Sequence, residues 1–150
     1  MRRWTLRIGI SLVVLLLASQ LVPVERSNPK VDPSLSIYLI QPVPAPVKAV
    51  LERSCKDCHS YDTSWPWYSY VAPISWVVAH DVQKGRKSMN FSEWGGYSAK
   101  RKEDKLEEIC EQLVNGDMPD RKYRLFHRNS RVTEQERGAI CQWTDDSREY

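Results

Sequence analysis

The chain has 150 residues, 27% of them charged and 41% apolar, with nine prolines and four cysteines. That length holds one domain around a single core and leaves no room for a second. The formal charge of +3 misleads: five of the 22 Lys and Arg precede Val31 against one of the 19 acids, so the remainder carries 17 against 18 and offers no footprint for nucleic acid.

Arg2, Arg3 and Arg7 precede an apolar run from Ile8 to Val24. A basic start before such a run is an export signal or a single membrane anchor, and 17 residues stand at the low edge of what spans a bilayer. In Ala18-Ser19-Gln20 the glutamine would occupy the cut position, which makes a poor cleavage site, and no cysteine follows to carry a lipid. Residues 1–24 are therefore expected to stay as an anchor that meets lipid through residues 8–24, with a cleaved signal and a soluble domain as the alternative. The arginines lie before the run, so the start belongs in the cytoplasm and the rest outside.

Residues 25–46 contain Pro29, Pro33, Pro42, Pro44 and Pro46 and read as an extended tether. The domain then occupies residues 47–150. A helix is expected from about Val47 into the cysteines, with Val47, Val50, Leu51, Ser54 and Cys58 on one face. The stretch 63–73, TSWPWYSYVAP, is aromatic and broken by proline, hence irregular. Pro73 opens a second helix that closes near Gly85, and SMNFSEWGGYS is a connection. Ser98 caps a third helix with Leu106, Ile109, Cys110, Leu113 and Val114 as its apolar stripe, stopped by Gly116. TEQE at Thr133 is a capping box that starts a fourth, to which Ile140, Cys141 and Trp143 give apolar contacts. No stretch alternates as a strand does. The fold class expected is all-α, about four helices with long loops, fewer than half of the domain's residues being helical.

The chemistry lies in SCKDCHS, residues 54–60. A thioredoxin-like dithiol needs a strand before it and a βαβ frame, neither of which is present. Zinc could take Cys55, Cys58, Cys110 and Cys141, or a histidine in place of one sulfur. The second pair is 31 residues apart on two expected helices, however, and adjacent ligands Cys58 and His59 would strain a tetrahedral shell. No zinc is expected, and a zinc-binding structural domain is the weakest reading. Haem suits every local feature. Cys55 and Cys58 can form thioethers to the two vinyl groups, and His59 then binds iron as the proximal ligand. Loops rich in aromatics also call for a large apolar group to fold around.

For a sixth ligand the sequence offers Met118, His80, His127 and Met89. Met118 is favoured, because it sits in NGDMPD beyond Gly116 with a proline after it. His80, on the second helix, is the main alternative; it could instead serve a propionate. Lys84, Arg86 and Lys87 could pair with propionates, with Trp76 nearby. Trp65, Trp67, Tyr68, Tyr70 and Trp76 are read as packing of the haem pocket. Outside the cytoplasm the spare thiols of Cys110 and Cys141 are expected to form a disulfide.

The run from Cys55 to Trp94, with NGDMPDRKY and VTEQERGAICQW, resembles the bacterial haem-binding domain family, small membrane-anchored proteins with a Cys-x-x-Cys-His motif. The resemblance covers roughly Pro42 to Trp143. It implies a fold related in outline to cytochrome c and one covalently attached haem c with its iron, Cys55, Cys58 and His59 matching the attachment motif. Met118 matches a Met-Pro pair that in other members often continues with a second proline, where this chain has Asp120.

The function expected is that of a monohaem cytochrome anchored in a bacterial inner membrane, its domain in the periplasm, passing single electrons to a partner that the sequence does not name. The alternatives are a haem-based gas or redox sensor, or an accessory module of a haem peroxidase system. No spacing of Asp, Glu, His or Ser suggests acid–base or nucleophilic catalysis, so a carrier or binding module is expected rather than an enzyme.

Overall fold

The computed structural model describes residues 2–148, so Met1 of the expected anchor and the last two positions of the expected domain, Glu149 and Tyr150, lie outside the described residues. The described residues contain helices and turns and no strand. The α-helices are α1 (Arg2–Ser19), α2 (Ile37–Ile40), α3 (Ala45–Ser54), α4 (Lys56–His59), α5 (Ile74–Ser88), α6 (Ala99–Asn115), α7 (Arg121–Phe126) and α8 (Glu134–Asp146). Short 3₁₀ segments lie at Pro33–Leu35, Trp67–Tyr70, Phe91–Gly96 and Arg128–Ser130. The four helices expected from periodicity correspond to α3 with α4, α5, α6 and α8. The additional short helices and turns leave fewer loops than the sequence suggested.

Helix α1 buries none of its residues. No helix among the described residues is long and apolar enough to cross a membrane. The reason lies in its two halves: Arg2, Arg3 and Arg7 occupy its start, and the apolar part from Ile8 to Ser19 rises only about 18 Å, against about 30 Å of bilayer hydrocarbon.

The proline-rich segment expected as a tether is bonded along the domain: Arg26 donates to the Ser69 carbonyl and Asn28 to the Thr63 carbonyl. Residues 33–40 fold into a 3₁₀ turn and α2, and Ile37 is completely buried with Val50, Leu51, Phe91 and Trp94. Asp32 and Ser36 supply the two side-chain caps that let so short a segment turn. An apolar Ile-Tyr-Leu-Ile between prolines is too short for a periodic signal, yet one isoleucine in the core fixes it to the domain.

The connection after α5 is likewise a structural element. Asn90 caps the turn at Phe91–Gly96, and Phe91 and Trp94 are among the largest fully buried side chains. Helices α6 and α8 pack together and are joined by the Cys110–Cys141 disulfide, Cα–Cα 4.8 Å. Both helices carry the caps read from sequence. Ser98 accepts from the N–H of Arg101, Gly116 takes the left-handed φ of 75° that ends α6, and Thr133 with Glu136 forms a complete capping box on α8. Arg53, in the last turn of α3, reaches both carboxylate oxygens of Glu136 at 3.1 Å and so ties α3 to the start of α8. This frame of α3, α6 and α8 holds one wall of the cavity described next.

Candidate haem site

The Cys-x-x-Cys-His stretch forms one helical turn, α4, whose closing bonds run from the N–H groups of Cys58 and His59 to the carbonyl of Cys55. The following loop folds back on it. Asp57, inside the motif, accepts from Ser64 N–H at 3.0 Å and from the Tyr123 hydroxyl at 2.8 Å, while the Thr63 hydroxyl donates to the Asp57 carbonyl at 2.7 Å. The acid between the cysteines thus becomes the anchor of its own turn.

Helix α5 lies against this turn at Gly85, where a Cβ would stand 2.5 Å from the carbonyl oxygen of Cys58. The sequence suggested that Gly85 ends the helix. Instead α5 continues to Ser88, and the missing side chain lets two backbones approach.

Between these elements is a cavity of about 300 Å³, at the small end of the range for ligand sites. Cys55, Cys58 and His59 border it from α4, and Met89 and Phe91 from the end of α5 and beyond. Ile109 and Leu113 border it from α6, and Met118, Pro119 and Tyr123 from the α6–α7 connection and α7. The sequence reading had Ile109 and Leu113 as core and gave no role to Tyr123. An apolar stripe on an amphipathic helix does not say whether it meets another helix or a cavity.

Burial pushes both Cys55 and Cys58 up to about 12, helped at Cys55 by the neighbouring Cys58 sulfur and at Cys58 by Asp57. Both are free and neutral thiols at ordinary pH, which suits neither a thiolate nucleophile nor a ready metal thiolate. The four-cysteine zinc set does not form, since Cys110 and Cys141 are bonded to each other. His59 places its Nδ1 3.1 Å from the carbonyl of Met89. Burial lowers its pKa, the Met89 and Gly85 carbonyls opposing in part, so the ring is neutral with Nδ1 as the donor and Nε2 carrying the lone pair. Among the described residues Nε2 has no hydrogen-bond partner.

Met118 borders the cavity and keeps 39% of its surface exposed. Asp120, which replaces the second proline of the pattern, caps α7 by accepting from Lys122 N–H at 2.7 Å. The connection is therefore held by a cap in place of a ring. Met89 borders the cavity as well.

Several expected site residues are elsewhere. His80 is exposed and is not on the cavity wall. His127 stacks on Tyr123 and has its Nε2 2.5 Å from the Tyr68 hydroxyl. Lys84 borders the cavity, whereas Arg86 does not. Its guanidinium donates to the carbonyls of Ser60 and Ser27, to Asn28 Oδ1 and to the Thr63 hydroxyl, all within 2.9 Å. It is a strut between the N-terminal segment and the loop after the motif. None of Trp65, Trp67, Tyr68, Tyr70 and Trp76 borders the cavity; Trp67 is 78% exposed and Tyr70 59%. The aromatic cluster read as pocket packing lies away from the cavity: the 3₁₀ turn at 67–70 leaves Trp67 and Tyr70 exposed, Trp76 is exposed on α5, and Trp65 and Tyr68 are half-buried.

The donor set fits a haem attached through thioethers: two neutral thiols one helical turn apart, a neutral imidazole oriented through Nδ1, a thioether on the same cavity, and apolar walls. Ser54 Oγ, buried on that wall without a hydrogen-bond partner, is a polar group that the protein alone leaves unsatisfied.

An all-helical domain with a Cys-x-x-Cys-His turn on an apolar cavity defines the class of haem-binding helical proteins. Residues 14–146 match the family model described as "Haem-binding domain". The chain belongs to this haem-binding domain family. No curated protein and no solved structure matches it.

Proposed function

We propose that the protein carries single electrons outside the cytoplasmic membrane on one covalently held haem c, in a domain related to the cytochrome c fold and anchored through residues 8–24. The observation that carries this reading is the bond between His59 Nδ1 and the Met89 carbonyl at 3.1 Å, in a Cys-x-x-Cys-His turn. A half-buried imidazole held this way offers its second nitrogen to iron in one tautomer and one orientation. Cys55 and Cys58 would each add sulfur to one vinyl carbon and hydrogen to the other, so attachment needs no oxidant. Met118 would supply the second protein ligand to the iron. The bound group supplies one-electron chemistry; the chain supplies the ligands, a low-dielectric wall and exclusion of water.

The 39% exposure of Met118 favours one second reading, a sensor whose sixth position opens to a small gas. Carbon monoxide decides between them. The reduced carrier should bind it slowly, and Met118→Ala at once; immediate binding by the unmodified protein would overturn the carrier reading. Covalency is read separately by acid–acetone extraction. Haem should stay with the protein and be extracted from Cys55→Ser/Cys58→Ser, and its full extraction from the unmodified chain would refute the thioether assignment.

A further inference from the structure

Residues 121–131, RKYRLFHRNSR, contain five Lys or Arg and no Asp or Glu. Outside this segment residues 31–150 carry 12 Lys and Arg against 18 Asp and Glu, so the cations are concentrated in one place. Lys122 pairs with Asp81 at 3.5 Å, but among the described residues no carboxylate pairs with Arg121, Arg124 or Arg128. The same segment exposes large apolar side chains, Leu125 at 75% and Phe126 at 57%. Beside Leu125 and Phe126 a shallow depression of about 350 Å³ is bordered also by Arg53 and Arg128.

This surface continues into the exposed aromatics of the loop after the motif. Phe126 meets Tyr68 at 5.0 Å between ring centroids, and Tyr68 meets Trp67 at 5.8 Å. In a 3₁₀ turn side chains three apart eclipse, so Trp67 and Tyr70 project from one side. The chain arriving from α1 joins at the same place. Gln20 bonds the backbone of Ala72 twice, donating to its carbonyl at 3.2 Å and accepting from its N–H at 3.0 Å. Arg26 lies 4.5 Å above the Tyr70 ring and donates to the Ser69 carbonyl. The C-terminal end of the apolar helix is thus fastened beside Trp67 and Tyr70, not held away from them.

We propose that Trp67, Tyr70, Leu125 and Phe126, with Arg121, Arg124 and Arg128, form a face that docks on the surface of an anionic phospholipid bilayer. Tryptophan and tyrosine settle at the headgroup level, leucine and phenylalanine insert below it, and unpaired arginines meet lipid phosphates. Both apolar and basic components are needed for this, and here they are contiguous. An acidic protein surface would use the cations but gives no reason for four large apolar side chains to be left in water. The proposal deepens the anchored reading above and rests on it for the side of the membrane. A helix with so short an apolar part gains from a second contact with the same bilayer, and docking would hold the cavity, bordered by Tyr123 of α7, close to the lipid.

The full chain is reconstituted into vesicles of phosphatidylglycerol and of phosphatidylcholine, and backbone hydrogen exchange is followed by mass spectrometry. Exchange over 121–128 and 66–71 should slow about tenfold or more in phosphatidylglycerol, and the protection over 121–128 should fall in 0.5 M salt. Arg124→Glu/Arg128→Glu should lose the protection while α6 and α8 exchange as in the unmodified protein, which separates docking from folding. Equal exchange in the two lipids, or in the unmodified and substituted chains, overturns the proposal and returns the basic patch to an acidic protein partner. Alkaline carbonate extraction of the same vesicles reads the anchor independently. Release of the chain despite lipid-dependent protection would overturn the anchor and leave the docking face. Retention without protection would overturn the docking face alone, and release without protection would overturn both.

Discussion

Gly85→Ala tests the contact on which the site is built. In an open helical position this change stabilises by up to about 1 kcal/mol, because glycine is the poorer helix former. At position 85 the new methyl would stand 2.5 Å from the Cys58 carbonyl oxygen and 3.1 Å from the Cys58 Cβ. Ordinary contact begins near 3.4 Å, so α5 must move by about 0.9 Å from the turn that carries Cys55, Cys58 and His59. The obstacle is backbone and cannot rotate away. Against a backbone obstacle overpacking takes the upper part of its range, about 2–3 kcal/mol, and subtracting the propensity gain leaves a net loss of about 1–2 kcal/mol, or a melting temperature lower by roughly 5–10 °C in a domain of this size. The movement also displaces the Met89 carbonyl from His59. Thermal melting followed by circular dichroism measures the first effect, and haem per protein by pyridine haemochrome the second; both should fall. Gly138→Ala supplies the comparison. Nothing lies within 4 Å of its Cβ position in α8, so that protein should be slightly more stable with normal haem content. A Gly85→Ala protein that melts at or above the unmodified one and takes up haem fully would refute the close approach.

Replacing both Cys110 and Cys141 by serine opens a loop of 31 residues' separation and should cost about 3–4 kcal/mol, read as a lower urea midpoint. Arg53, with the Thr133 N–H and hydroxyl, holds Glu136 down to about 2 from an ordinary 4.5. Because the folded value is the lower one, this stabilisation is present above about pH 4.5 and is lost as the pH falls toward 2. Glu136→Gln should therefore cost about 1 kcal/mol at pH 7, the pair being partly in water, and the difference between the two proteins should vanish near pH 2 in urea titrations. Arg86→Gln removes the bonds to Ser27 and Asn28. Hydrogen exchange over residues 23–32 should rise severalfold while the haem spectrum stays unchanged, because Arg86 does not border the cavity; a changed spectrum would contradict that placement.

The sequence by itself determined the features that depend on near neighbours. Ser98, Gly116 and the Thr133–Glu136 box state where α6 begins and ends and where α8 begins, since each satisfies backbone groups within a few residues. The motif at Cys55, Cys58 and His59 is local for the same reason, and so is the family. What tertiary structure decided is where surfaces meet. Gly85 looked like a helix end and is a point of contact with Cys58, because a missing side chain has the same spelling in both roles. Arg86 looked like a partner for propionates and binds the N-terminal segment, since a guanidinium answers any set of acceptors that the fold brings near. Ile37 sits among prolines yet anchors α2 in the core, and the exposed rings of Trp67 and Tyr70 were expected inside. Burial is a property of the whole packed chain. A stretch of four apolar residues, or of aromatics between prolines, does not contain the information that says which side of it will face water.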